Sequence, residues 1–132
     1  MKNTQTILII DDDIDLVEIL RVNLEHNQFN VLDAQSGEHG IKIANELSPD
    51  LIILDVMMGN LDEGFHTAYA LRQNPSTQFI PIVMLTAIGQ ETGYSFRPEK
   101  DEAFLPVDEF LEKPVNPEKL VDIIRKYLPV SA

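Results

Sequence analysis

Three consecutive aspartates, Asp11, Asp12 and Asp13, follow the apolar run 7–10, and a fourth, Asp55, closes the similar run 51–54. Thr86 stands after the run 82–85, and Lys113 ends the short segment 109–112. Taken singly, each has an ordinary explanation: acids after a strand cap helices, and a hydroxyl or a lysine sits on the surface. Their chemistry emerges if the fold gathers them. Carboxylates a few ångströms apart repel one another and cannot all stay ionised unless a cation joins them. A few oxygen ligands open to water suit Mg²⁺, whereas the spacing lacks the glycine and distal glutamate of a Ca²⁺ loop. With a hydroxyl and an ammonium beside the carboxylates, these are the parts of a phosphoryl-transfer site, in which cations spread charge and one carboxylate attacks. Residue types alone leave open which aspartate that is.

The elements between these residues can position them. Ile7, Leu8, Ile9 and Ile10 are too few for a helix and read as a buried strand. Leu16, Leu20 and Leu24, with Val17 and Ile19 broadening the stripe, predict a helix that Asp13 or Asp15 caps and that ends near Asn27. Residues 30–34 predict a weak strand. Ser36 then caps a helix carrying Ile41, Ala44 and Leu47, which Ser48 and Pro49 stop. Residues 51–54 and 82–85 are two more buried strands. Between them Phe65, Ala68 and Leu71 give helical spacing up to Asn74 and Pro75. A strand at 109–112 delivers Lys113 and Pro114, and Asn116 caps a last helix with Pro117 in its first turn and Leu120, Val121, Ile124 and Leu128 on its apolar face.

Strands alternating with helices call for a doubly wound parallel sheet, because each right-handed crossover needs a helix to return the chain. Ligands of such sheets bind beyond the carboxyl ends of the strands, where the acids, Thr86 and Lys113 all fall. Residues 87–108 break the pattern. They hold Gly89, Gly93, Pro98 and Pro106 and no clear period, so an irregular or shortened fourth helix is expected there. The acids Glu99, Asp101, Glu102 and Asp108 in this stretch read as a solvated loop, while Phe96, Phe104 and Leu105 call for burial.

With 132 residues the chain has room for one core, and 44% hydrophobic and 24% charged residues place it among ordinary globular domains. Ten basic against 22 acidic residues give a net charge of −12, which disfavours nucleic acid and anionic lipid as partners. There is no cysteine, hence no disulfide or thiolate chemistry, which fits a reducing compartment. The apolar runs are short and the first residues lack the pattern of a secretory signal, so a cytoplasmic location is expected. His26, His39 and His66 lie on different predicted helices without ligand spacing and read as surface residues.

Ile10-Asp11-Asp12, Leu54-Asp55 with Met57, Met58 and Gly64 after it, Leu85-Thr86-Ala87, and Phe110-Leu111-Glu112-Lys113-Pro114 jointly give a specific pattern. In these segments the chain resembles the receiver domains of two-component response regulators, over essentially its full length. The resemblance implies a five-stranded parallel sheet in the flavodoxin-like order 2-1-3-4-5 and a single receiver domain over residues 1–132 without an output domain, as in chemotaxis-type regulators. It implies that Asp55 accepts a phosphoryl group from a histidine kinase, a phosphotransfer protein or a small phosphodonor. Asp12 would hold Mg²⁺ directly, Asp11 through water, and the backbone carbonyl of Met57 would be a further ligand beside Asp55. Thr86 and Lys113 would contact the phosphoryl oxygens, Phe110 would follow Thr86 as the switch aromatic, and the Lys113-Pro114 bond would be cis. Such a protein is no enzyme beyond catalysing its own phosphorylation and dephosphorylation. It would signal as a monomer or weak dimer, by contact with a downstream protein. Gly59, where the family often has proline, and the placement of Gly64 imply a looser loop after Asp55.

Two other readings use the same residues. Asp11 and Asp13, one residue apart after the first strand, could be nucleophile and acid of a haloacid-dehalogenase-like phosphohydrolase, although Asp15 does not fit that motif. An interaction module that is never phosphorylated, or a flavin carrier on the same layered fold, is the third class. Three acids where a flavin phosphate would lie count against the carrier.

Overall fold

The structure, a computed structural model, describes residues 4–56, 63–86 and 107–129. Five strands, β1 (Thr6–Ile10), β2 (Asn30–Ala34), β3 (Leu51–Asp55), β4 (Ile82–Thr86) and β5 (Glu109–Glu112), form one parallel sheet in the order β2-β1-β3-β4-β5. Helices α1 (Ile14–His26), α2 (Gly37–Leu47), α3 (Glu63–Arg72) and α4 (Pro117–Tyr127) cover its two faces. The expected fourth crossover, with Phe96, Phe104 and Leu105, lies outside the described residues.

Strand periodicity divides the core in two. Ile7, Ile9, Leu51, Ile53, Val83, Leu85 and Leu111 pack with Val17, Leu20 and Leu24 of α1 and Leu120 and Ile124 of α4. The alternate residues Leu8, Ile10, Ile52, Leu54, Ile82 and Met84 pack with Ala44 of α2 and Ala68 and Leu71 of α3. Because β1, β3 and β4 are covered on both faces, they read as unbroken apolar runs.

Three caps fall where the sequence put them. Asp13 accepts from Leu16 N, Ser36 from His39 N, and Asn116 from the amides of Glu118 and Lys119, so each helix starts at a fixed distance from the strand before it. Two apolar assignments need correction. Ile19 is 58% exposed, because the buried stripe of α1 runs through Val17, Leu20 and Leu24, and at about 100° per residue Ile19 falls outside it. Leu47 is also exposed: it is the last residue of α2, and the chain leaves through Ser48 at a positive φ of 45°.

Asp108, grouped in the sequence with a solvated loop, is exposed as expected and is also a brace. Its Oδ2 accepts from Ile82 N at 2.8 Å and from the Arg72 guanidinium at 2.7 Å, while Arg72 also donates to the carbonyls of Gln78 and Ile80. One carboxylate thus joins the end of α3 to the starts of β4 and β5. Asp108→Ala strands a backbone donor and one arm of Arg72, and the expected loss is about 1–2 kcal/mol, read as a lower urea midpoint at unchanged slope.

Candidate functional site

Sheet register builds the site. Ile10 is level with Leu54 and Asp55 with Leu85, so Asp11 and Asp55 leave neighbouring strands side by side. The ladder runs one step past the strands through Asp11 N to Ala34 O, Val56 N to Leu85 O and Lys113 N to Thr86 O, which fixes the backbone of all four strand ends.

The side chains converge there. Carboxylate oxygens of Asp11, Asp12 and Asp55 lie within 4.8 Å of one another, with Asp11 and Asp55 buried and Asp12 exposed. Lys113 Nζ is 3.3 Å from Asp55 Oδ1 and 3.7 Å from Asp11 Oδ2. Asp11 Oδ1 accepts from Asp13 N, whereas its Oδ2 is buried without a hydrogen-bond partner. Thr86 ends β4 beside them, 7% exposed. Phe110, half-buried on β5, packs against the core under α2 and α3. The Lys113-Pro114 peptide bond is cis. Met57, Met58 and Gly59 lie outside the described residues.

Burial, more than repulsion, governs the electrostatics. The Asp11 carboxyl is raised from 3.8 to about 6, first by desolvation and further by the charge of Asp55, against the lowering effects of the Asp13 amide and Lys113. The folded state therefore holds this proton more tightly than the unfolded chain. The contribution of Asp11 to stability is full below pH about 3.8 and is lost as the pH rises through about 6. Asp11→Asn keeps an acceptor for the Asp13 amide and removes the buried charge. In the metal-free protein it should stabilise by about 3 kcal/mol at pH 7 and by almost nothing near pH 3.5, read from urea unfolding at both pH values.

These residues fit a divalent cation. A buried carboxylate oxygen without a donor faces two further carboxylates, one of them open to water, and a cation there would offset the desolvation that raises Asp11. The dehalogenase-like reading loses its acid, since the Asp13 carboxylate caps α1 and Asp13 is not among the three gathered acids.

Comparison with known proteins gives the family. Residues 7–125 match the family model of the response regulator receiver domain. The chain belongs to the response regulator receiver domain family. As a receiver domain it is 40% identical over 122 residues to the transcriptional regulatory protein CpxR of Escherichia coli K12, covering 92% of this chain and 48% of that protein. It is 37% identical over 123 residues to the DNA-binding dual master transcriptional regulator RpaA of Synechocystis, again covering 92% of this chain and 48% of that protein. The chain thus spans about half the length of these curated relatives. In structure it is similar to the chemotaxis response regulator CheY4 of Vibrio cholerae, with a TM-score of 0.81 at 28% identity over 95% of this chain and 99% of the other.

The sequence singled out the gathered acids and Gly64, but not the bonds that seat them. Gly64 donates to Val56 O, and a Cβ there would lie 2.4 Å from Val56 Cα and 2.5 Å from the Asp55 carbonyl. Glu63 sends Oε2 to the amide of Gly37, 26 residues away at the start of α2. A glycine at the start of a helix signals close backbone approach, which was the clue to the first; no local pattern announces the second.

Proposed function

We propose that this receiver domain is a switch that takes a phosphoryl group on Asp55, in a reaction needing Mg²⁺, and passes its state on by protein contact. The observation that carries this reading is the meeting of the Asp11, Asp12 and Asp55 carboxylates within 4.8 Å, with the Lys113 ammonium 3.3 Å from Asp55. Asp11, Asp12 and Asp55, with the backbone carbonyl of Met57 by family resemblance, would hold the metal. When bound, Mg²⁺ supplies positive charge against the phosphoryl oxygens.

The protein's own residues supply the rest. An Asp55 carboxylate oxygen attacks phosphorus and forms the acyl phosphate bond, while the bond from phosphorus to the donor breaks and the donor keeps the electron pair. Lys113, already drawn to Asp55, stabilises the added charge, and the Thr86 hydroxyl donates to a phosphoryl oxygen. Hydrolysis of the acyl phosphate by water resets the switch. Phosphoryl charge draws Thr86 and Lys113 toward Asp55, and Phe110 on the same edge of the sheet follows.

Receiver domains interact with histidine kinases or phosphotransfer proteins, which makes one of these the donor. With a net charge of −12 the domain is unsuited to touch nucleic acid or an anionic membrane surface itself, and the output goes to a protein. Among the described residues no helix is long and apolar enough to cross a membrane. We propose a cytoplasmic location and a receiver domain that is monomeric or a weak dimer.

The test is intact-mass measurement after incubation with a small phosphodonor. One acid-labile phosphate should appear with Mg²⁺ and vanish when a chelator is added. A protein that gains no phosphate, or gains it equally under chelation, contradicts the proposal.

A further inference from the structure

Two bonds tie the first turn of α3 to neighbouring elements among the described residues. On one side the amide of Gly64 donates to Val56 O at 3.1 Å, and its Cα sits so close to Asp55 and Val56 that no Cβ fits. On the other, the Glu63 carboxylate accepts from the amide of Gly37 at 2.9 Å, at the start of α2. Gly37 is itself pressed against α3, where a Cβ would stand 2.0 Å from Thr67 Oγ1. The Thr67 hydroxyl in turn donates to Glu63 O at 3.0 Å. Glycines at 37 and 64 thus let two helix starts and one strand end meet at backbone distance.

Glu63 is not needed to begin α2, because Ser36 already caps that helix through His39 N. What Glu63 adds is a bond between helices: a carboxylate at the positive end of α2, carried by the residue next to the glycine wedged on Asp55. We propose that Glu63 is a positioning residue for the phosphoacceptor, holding the start of α3 against α2 so that the backbone of Asp55 and Val56 keeps the Asp55 carboxylate within reach of Asp12. This rests on the function proposed above. Without the Glu63 bond, the start of α3 loses its hydrogen bond to α2 and keeps the one to the strand end, so the two can shift together.

Three variants separate positioning from stability. Glu63→Ala removes the bond between α2 and α3; Glu63→Gln keeps an acceptor for the Gly37 amide; Ser36→Ala weakens the same end of α2 without touching α3. Mg²⁺ is titrated calorimetrically into each metal-free protein, and the Val56 amide resonance is followed by NMR without metal. Glu63→Ala should weaken Mg²⁺ binding about tenfold and shift the Val56 amide. Glu63→Gln should restore both to near the wild type, and Ser36→Ala should change neither. If Glu63→Ala binds Mg²⁺ as tightly as the wild type, or if Ser36→Ala weakens binding equally, Glu63 has no positioning role while the functional proposal stands. If the wild type itself binds no Mg²⁺, the functional proposal fails and the positioning role with it.

Discussion

Replacing Asp55 by Asn should reduce the incorporation of acid-labile phosphate to background while leaving the fold intact. The change is isosteric at a residue 3% exposed, and the amide is not the nucleophile the reaction needs. The neighbouring acids do not take over. Asp13 has its carboxylate on the Leu16 amide, Asp12 is exposed, and Asp11 is fully buried, so none of them combines the burial and the 3.3 Å lysine contact of Asp55. A second consequence follows from charge. Asp55 is one of the groups that raise the Asp11 carboxyl, so in Asp55→Asn that carboxyl should titrate at lower pH than in the wild type, measured by carboxyl carbon NMR. Labelling at wild-type stoichiometry would place the acceptor elsewhere.

Gly64→Ala should be the most damaging alanine substitution among the described glycines, because only there does the added methyl meet backbone. The added methyl would meet Val56 Cα at 2.4 Å, Asp55 O at 2.5 Å and Val56 O at 2.8 Å. All three are backbone atoms of a strand end held by the ladder to β4, so no side-chain rotation relieves the overlap. Either α3 moves out or the strand end moves down. The expected cost is about 3 kcal/mol from forced packing, seen as a lower urea midpoint. Function should suffer more than stability, because a displacement of roughly 1 Å at reacting groups costs on the order of a hundredfold in rate. Phosphorylation by a small donor, measured where the variant is still folded, should therefore fall at least tenfold. A variant that labels at the wild-type rate would show that the strand end does not set the geometry of Asp55.

Why the strands and caps were legible in the sequence is a matter of burial. β1, β3 and β4 are covered on both faces, so their residues are apolar without interruption and each ends at a polar residue of the site. Asp13, Ser36 and Asn116 cap through bonds that span two or three residues, which a local pattern can signal. The gathering of Asp11, Asp12, Asp55 and Lys113 followed from strand direction alone, since parallel strands bring like ends to one rim. The electrostatic expectation was half right: carboxylates do crowd, but desolvation raises Asp11 more than its neighbour's charge does, and how deeply a residue is buried is set by tertiary packing.

What escaped the sequence are bonds between residues far apart in the chain. Asp108 belongs to a charged stretch, and its brace on Ile82 and Arg72 exists only once β4 and β5 are paired. Glu63 resembles any acid in the first turn of a helix, yet its carboxylate serves the next helix over. Ile19 and Leu47 have the right type and nearly the right spacing for a buried face, and both stay in solvent, Ile19 because it lies off the stripe that meets the sheet and Leu47 because the chain turns away after it.

The central claim is that Asp55, among the clustered acids, becomes the acyl phosphate. Borohydride reduces an acyl phosphate to an alcohol, so treating the phosphorylated protein with it converts the modified aspartate to homoserine, which peptide sequencing by mass spectrometry locates. Homoserine is expected at position 55, with aspartate retained at 11, 12 and 13. Homoserine at position 11, with position 55 unchanged, would contradict that claim.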